Sequence, residues 1–303
     1  MALMFFVPAE AKFKCETPNP TTEFEQMAFA PVYPTYSWAP VVGAEFYQIQ
    51  VLDSRGKIVR DMPNTEALSY MTEQKPFVEV GEYFWRVRAV DKNKKPLSDW
   101  SERKYFSVTA PVTFAALGDS ITHGGANFIP AGQLSCQWET FCEIPVKNIG
   151  RSGDTTAMMI ERFESDVLPF QPEVLLIIGG VNDIRGGASA EEVIANLEIL
   201  CEKCLANGIT PYLGTLTPMN AKIISGRGIN LTDRDWKSER AKVNRWILEN
   251  GGFDFAAGLE DNSGELRAVF TPDGLHQNLR GKMIMGRNVE KFLEAKGYVR
   301  TDG

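Results

Sequence analysis

The sequence has few histidines, no long apolar run and no basic cluster. Only His123 and His276 occur among its 303 residues, so chemistry that needs an imidazole has two candidates. No apolar run approaches the length of a membrane span. The formal net charge of -7 and the lack of basic stretches argue against nucleic acid or an anionic membrane surface as the main partner. These absences favour a globular protein without a membrane span and without a nucleic-acid partner.

Cofactor and metal motifs are also missing. The chain has neither a P-loop nor a dinucleotide-binding fingerprint. Cys201 and Cys204 form a C-x-x-C pair, but no second pair of cysteines or histidines completes a zinc site. The odd number of cysteines, five without regular spacing, indicates free thiols. We expect no metal and no cofactor.

The first residues, 1–11 with the sequence MALMFFVPAEA, leave the cellular compartment open. They have an apolar core and an A-x-A ending, but they lack the positive charge and the length of a signal peptide. They are interpreted either as a disordered or docked N-terminus or as part of a truncated signal.

Residues 33–108 show a period of two, which is typical of half-buried β-strands. In FYQIQVLD the apolar residues Tyr47, Ile49 and Val51 alternate with glutamines. The turn-prone segments DSRGK and DKNKKP separate such runs, which predicts short antiparallel strands in a sandwich. The segments SWAPVVGAEFYQIQV, GEYFWRVRAVD and SDWS resemble fibronectin type III domains. We therefore predict a first domain over residues 1–110, a small all-β sandwich that resembles fibronectin type III.

A different pattern begins after residue 110. Apolar runs such as TFAAL, EVLLIIGG and ITPYLGTL alternate with stretches of helical periodicity. In one stretch Ser189 is predicted to cap a helix, with Glu192 reaching back, and Gly208 is predicted to end it. Strands that alternate with helices predict a parallel sheet covered on both faces, with a ligand at the carboxyl ends of the strands. Residues 111–303 are therefore predicted to form a second, α/β domain.

Three glycine-bearing polar segments follow predicted strands of this second domain. They are GDSIT with Ser120, NIGRSGDTT with Gly153, and GGVNDIRGG with Asn182. Each segment alone is more simply interpreted as a turn or a helix cap. Because parallel strands end at the same edge of their sheet, however, the three segments are expected to lie side by side. Their glycines let backbone N–H groups approach a ligand closely.

Ser120 needs a base, because a serine hydroxyl is a weak nucleophile until its proton is removed. His276 lies in TPDGLHQN, three residues after Asp273. A D-x-x-H loop can set a carboxylate beside one imidazole nitrogen and leave the other nitrogen facing a serine. His123 follows GDSIT directly, but nothing near it in the sequence would orient its ring. We interpret His276 as the candidate base and His123 as a flanking residue.

These four segments, in this order, resemble the sequence blocks of the SGNH (GDSL-type) hydrolase family. The resemblance implies a three-layer α/β/α, flavodoxin-like fold with about five parallel strands. It also implies Ser120 as nucleophile, His276 as base and Asp273 as the acid that orients the base. The implied oxyanion hole consists of the Ser120 and Gly153 N–H groups and the Asn182 side-chain amide. The competing α/β-hydrolase fold needs a G-x-S-x-G motif, which the chain lacks.

The same resemblance implies a serine esterase. Family members act on acetylated sugars, lipids, thioesters and aryl esters, and no long apolar segment here suggests a lipase lid. A fibronectin-like module is common beside polysaccharide-processing enzymes, so the analogy favours an O-acetyl group on a small or polymeric carbohydrate. Asp119 and Arg185 are candidate substrate-binding residues.

Two alternatives stay open at this point. One is a lysophospholipase-type or thioesterase-type acyl hydrolase. The other is a non-catalytic module that binds carbohydrate or protein, which the complete set of five site residues disfavours. The sequence predicts no particular oligomeric state.

Overall fold

The computed structural model describes residues 15–64, 69–125 and 131–298. Residues 1–11, considered above as part of a signal, lie outside the described residues.

The first part of the chain folds into two antiparallel sheets. Its strands are β1 (Asn19–Pro20), β2 (Thr35–Ala39), β3 (Phe46–Asp53), β4 (Ile58–Asn64), β5 (Tyr70–Thr72), β6 (Gly81–Val90) and β7 (Lys104–Val108). They form one sheet in the order β1-β2-β5 and another in the order β4-β3-β6-β7. The period of two in the sequence reflects burial, because every second side chain of a strand points to the same face of its sheet. Val51 and Trp85, which pair across β3 and β6, both lie in the core. The prediction of antiparallel strands is confirmed.

The second part contains a parallel sheet. Its strands are β8 (Phe114–Gly118), β9 (Lys147–Gly150), β10 (Val174–Ile178) and β11 (Thr210–Leu213), and they pair in the order β11-β10-β8-β9. All residues of β8 and β10 are buried. Since successive side chains of a strand point to opposite faces, both faces of this sheet are covered. The predicted parallel sheet is confirmed.

The sheet has four strands in the described residues, where the resemblance implied about five. One parallel bridge, between Gly214 and Phe253, marks where a further strand would pair beside β11. The chain turns from Phe255 onward, so the apolar run FDFAAG pairs at one residue only.

Helices connect and cover these strands. They are α1 (Ser120–His123), α2 (Thr156–Glu161), α3 (Phe163–Asp166), α4 (Val181–Gly186), α5 (Ala190–Ala206), α6 (Ala221–Gly226), α7 (Trp236–Glu249) and α8 (Leu279–Ala295). Short 3-10 helices occupy Phe24–Gln26, Leu134–Cys136, Trp138–Phe141, Leu168–Phe170 and Ala268–Phe270. Within the described ranges, no helix combines the length and the apolar character that crossing a membrane requires.

Helix α5 shows how local sequence sets an element. Ser189 accepts from the Glu192 N–H, while the Glu192 carboxylate accepts from the Ser189 N–H, which confirms the predicted capping box. The helix ends shortly before Gly208, whose φ of 73° favours glycine. Cys204 of the C-x-x-C pair is completely buried on this helix, and all five cysteines are free thiols.

The first part of the chain is packed against the edge strand β9. The Val32 N–H donates to the Asn148 carbonyl at 3.0 Å, and the Lys147 ammonium donates to the Ala30 carbonyl at 2.7 Å. This segment therefore covers an edge that would otherwise expose unpaired backbone groups. The division into residues 1–110 and 111–303 stays a prediction.

Lys147→Met should stabilise the fold more in mild acid than in mild base. Burial lowers the pKa of Lys147 to about 7, below its value in the unfolded chain. The unfolded state therefore binds more protons between these pKa values, and the penalty for burying the lysine grows as pH falls toward 7 and levels off below it. The change in melting temperature relative to wild type should be more favourable at about pH 6 than at about pH 9. Lys57→Met, at an exposed position, should show no such difference, and equal changes at both pH values would contradict the prediction.

Candidate active site

The ends of three neighbouring parallel strands lead to the candidate site. Ser120 follows β8, Gly153 follows β9, and Asn182 follows β10, and β8 lies between the other two strands. Parallel strands end at one edge of their sheet, so all three segments reach the same crevice.

Ser120 is presented by a sharp change from strand to helix. The Asp119 carboxylate accepts from the Ile121 N–H at 2.8 Å and caps α1, which Ser120 begins. A Cβ at Gly118 would lie 2.4 Å from the Thr122 hydroxyl oxygen, so only glycine lets the new helix fold back so closely. The first N–H groups of a helix have no partner inside it, which leaves the Ser120 N–H available to a ligand.

A hydrogen-bonded chain joins Ser120 to a histidine and an aspartate. The Ser120 Oγ lies 2.9 Å from His276 Nε2, and His276 Nδ1 lies 2.7 Å from Asp273 Oδ2. A carboxylate can only accept, so Nδ1 carries the hydrogen and Nε2 is free to accept the serine proton. Although 156 residues separate Ser120 from His276, the fold brings them into direct contact.

Asp273 is held as an anion. Its Oδ1 accepts from the backbone N–H groups of His276 at 2.8 Å and Leu275 at 3.0 Å. Burial acts to raise the pKa of Asp273, but the hydrogen bond from the His276 ring, the positive charge that this ring carries when it is protonated and the two backbone donors lower it far below its ordinary value. The carboxylate therefore stays ionised and fixes the orientation of the imidazole.

Gly153 and Asn182, the other two residues expected to form an oxyanion hole, line the same cleft as Ser120. Gly153 has a φ of 90°, a conformation that favours glycine. The Asn182 amide donates one hydrogen to the Asp154 carbonyl at 2.9 Å, while its oxygen accepts from Arg185 at 3.3 Å. An amide nitrogen has two hydrogens, so one remains for a ligand.

The cleft has a volume of about 490 Å³ and draws on both parts of the chain. Ser120, His276 and Asn182 line it together with Arg185, and β5 of the first part contributes Tyr70 and Thr72. The sequence offered no sign that the antiparallel part reaches this site.

Arg185 and Asp119, the two residues expected to bind substrate, differ in whether they line the cleft. Arg185 lines the cleft and donates to the Asn230 carbonyl at 2.9 Å. Asp119 does not line the cleft, contrary to expectation, because its carboxylate is turned inward as the cap of α1 and the residue is 1% exposed. Burial raises the pKa of Asp119 to about 6.

His123 has a role in the site that its sequence position did not reveal. Its Nε2 lies 2.8 Å from the Tyr33 carbonyl, which can only accept, so Nε2 carries the hydrogen. Its Nδ1 then accepts from the Ser152 hydroxyl at 2.9 Å. Burial lowers the pKa of His123 to about 4, so the ring is neutral. Both ring nitrogens are bonded to these two groups and not to Ser120.

Comparison with known sequences decides the family. Residues 116–284 match the GDSL-like lipase/acylhydrolase family, and they make up more than half of the chain. The chain is a member of this family. It is accordingly a carboxylic ester hydrolase. A comparison with curated proteins finds no match.

Several solved structures are similar to this chain at low identity. A candidate acylhydrolase from Bacteroides fragilis matches at 19% identity and a TM-score of 0.50, over 68% of this chain and 90% of that chain. A GDSL-like lipase from Bacteroides thetaiotaomicron matches at 20% identity and a TM-score of 0.49, over 61% and 89%. An acetylxylan esterase from Geobacillus stearothermophilus matches at 21% identity and a TM-score of 0.46, over 64% and 99%. The first of these similarities shows a shared fold.

If the Asn182 amide is an oxyanion donor as predicted, Asn182→Ala should lower kcat for ester hydrolysis by a factor on the order of 10² to 10³, because such a donor acts in the transition state. Initial rates with p-nitrophenyl acetate measure the effect. Asn207→Ala, which removes an amide that bonds only the end of α5, should keep the wild-type rate. A folded Asn182→Ala protein with normal kcat would remove this amide from the oxyanion hole.

Proposed function

We propose that this GDSL-type hydrolase is a serine esterase that removes short acyl groups, acetyl above all, from carbohydrate. The observation that carries the catalytic part is the chain Asp273–His276–Ser120, with contacts of 2.7 and 2.9 Å at the cleft. Base, orienting acid and hydroxyl meet there in the geometry that activates a serine.

The first half of the reaction forms an acyl-enzyme. The Ser120 Oγ attacks the carbonyl carbon of the ester while His276 Nε2 takes the hydroxyl proton. The carbonyl oxygen becomes an oxyanion, which the Ser120 N–H, the Gly153 N–H and the free amide hydrogen of Asn182 stabilise. His276 then gives its proton to the leaving alcohol oxygen as the carbon–oxygen bond breaks.

The second half returns the enzyme to its starting state. Water attacks the acyl-enzyme carbonyl and gives one proton to His276, again through an oxyanion held by the same donors. The bond to Ser120 Oγ breaks, the serine regains its proton from His276, and the free acid leaves. Asp273 stays ionised throughout and stabilises the imidazolium that forms in each half.

The lining of the cleft supports a polar alcohol group in the substrate. Arg185, Tyr70 and Thr72 place a guanidinium, a phenol ring and a hydroxyl along its walls. Such groups form hydrogen bonds with sugar hydroxyls, and an aromatic ring offers an apolar face to a sugar. The volume of about 490 Å³ exceeds what an acetyl group alone would fill.

The resemblance of the first part to fibronectin type III belongs to the same proposal. Seven strands in sheets of three and four antiparallel strands support it. The analogy with polysaccharide-processing enzymes then favours a carbohydrate ester over a lipid.

Ser120→Ala should abolish hydrolysis of p-nitrophenyl acetate and labelling by a fluorophosphonate probe, because both need the Ser120 oxygen. Ser263→Ala, at an exposed turn, should leave both unchanged. Undiminished turnover by the Ser120 variant would contradict the assignment. In the wild type, a panel of acyl lengths should favour acetyl, and preference for long chains would favour a lysophospholipase-type activity instead.

Tyr70→Ala should raise KM for acetylated xylo-oligosaccharides about 3- to 10-fold, because the ring would no longer pack against the sugar. Kinetics with p-nitrophenyl acetate should change little, since its small alcohol would not extend to β5. The matched control is Tyr105→Ala, because Tyr105 is a half-buried tyrosine in the same part of the chain that does not line the cleft. An unchanged KM for the oligosaccharide would contradict a carbohydrate subsite at Tyr70.

A further inference from the structure

Tyr33 of the first part of the chain contacts the oxyanion loop, defined here as residues 151–154, through two separate routes. It precedes β2 and is 3% exposed, and it is absent from the lining of the cleft. Its carbonyl serves one route and its hydroxyl the other.

The first route reaches Ser152 through an imidazole. The Tyr33 carbonyl accepts from His123 Nε2 at 2.8 Å, and His123 Nδ1 accepts from the Ser152 hydroxyl at 2.9 Å. Ser152 directly precedes Gly153, so this route restrains the peptide that carries the Gly153 N–H.

The second route reaches Asp154 through a buried ionic network. The Tyr33 hydroxyl donates to Asp166 Oδ2 at 2.6 Å, and Arg162 donates to the same oxygen at 3.0 Å. Arg162 Nε also donates to Asp154 Oδ2 at 2.5 Å. The Asp154 carbonyl in turn accepts from the Asn182 amide, so this route restrains a second oxyanion donor.

The ring of Tyr33 lies between these routes. The Arg151 and Arg162 guanidinium carbons are 5.5 and 5.7 Å from its centroid, within the range of cation–π attraction. Arg151 also lies 3.9 Å from Asp154. The loop is therefore held at its start, at Ser152 and at Asp154 by groups that all meet at one tyrosine.

We propose that Tyr33 is a positioning residue for ester hydrolysis, which holds the Gly153 and Asn182 donors in the place that the oxyanion occupies. The inference rests on the proposed roles of Ser120, Gly153 and Asn182. Buried hydrogen-bond networks of this kind reinforce one another and rigidify what they contact. Oxyanion donors act only if they are preorganised, so a loosened loop lowers the rate of the chemical steps while leaving ground-state binding in place.

Tyr33→Phe removes the hydroxyl route and keeps the ring and the carbonyl. It should lower kcat for p-nitrophenyl acetate about 10-fold, with KM within about 2-fold of wild type, since two donors are misplaced rather than lost. Tyr83→Phe is the matched control, because its hydroxyl donates to the Glu79 carbonyl in the same part of the chain and does not contact the loop. It should keep the wild-type kcat.

Ser152→Ala tests the other route at an exposed position. It should lower kcat several-fold, again with little change in KM. A folded Tyr33→Phe protein and a folded Ser152→Ala protein that both keep the wild-type kcat would overturn the proposal.

A double-mutant cycle separates positioning from a general structural effect. In the Asn182→Ala background, Tyr33→Phe should cost clearly less than in the wild type, because one of the donors it positions is already gone. If Tyr33→Phe lowers kcat by the same factor in the wild type and in the Asn182→Ala background, the proposal is overturned.

The same set of proteins distinguishes failure of this inference from failure of the proposed function. If wild-type turnover persists in Ser120→Ala, the proposed function fails and the inference fails with it. If turnover depends on Ser120 but not on Tyr33 or Ser152, only the positioning role is overturned.

Discussion

Arg162 is a buried cation that ties three segments of the candidate site together. Its guanidinium donates to the Gly118 carbonyl at the end of β8 and to the carboxylates of Asp154 and Asp166. Burying a charge is costly unless every donor finds an acceptor, and removal of one acceptor leaves an uncompensated charge. The end of β8 that precedes Ser120, residues 151–154 and helix α3 therefore keep their relative positions as one unit.

This constraint extends into the antiparallel part of the chain. Tyr33 shares Asp166 with Arg162 and reaches the other end of the loop through His123. In addition, β5 contributes Tyr70 and Thr72 to the wall of the cleft. The first part of the chain is thus packed into the site itself, which makes it more than an appended module.

How much the sequence could predict depends on how far apart the partners lie. Asp273 and His276 are three residues apart, so their contact was visible as a local pattern. Ser120, Gly153 and Asn182 were placed together by one general rule about parallel strands. By contrast, the two ring nitrogens of His123 form hydrogen bonds with groups that lie 29 and 90 residues away. No spacing in the sequence indicates such partners, and His123 was interpreted as a flanking residue for that reason.

Asp119 is a second residue whose surroundings could not be predicted from the sequence. It was a candidate substrate-binding residue, yet its carboxylate is turned inward as the cap that starts α1. The sequence by itself determined the alternation of strands and helices, the family and the order of the candidate catalytic residues, because these follow from local periodicity and short motifs. Only the tertiary structure decided that Tyr33, Arg162 and His123 join in one hydrogen-bonded network with residues 151–154 and that β5 lines the cleft. Those contacts depend on how the two parts of the chain pack together, and packing between distant segments leaves no periodic signal in either one.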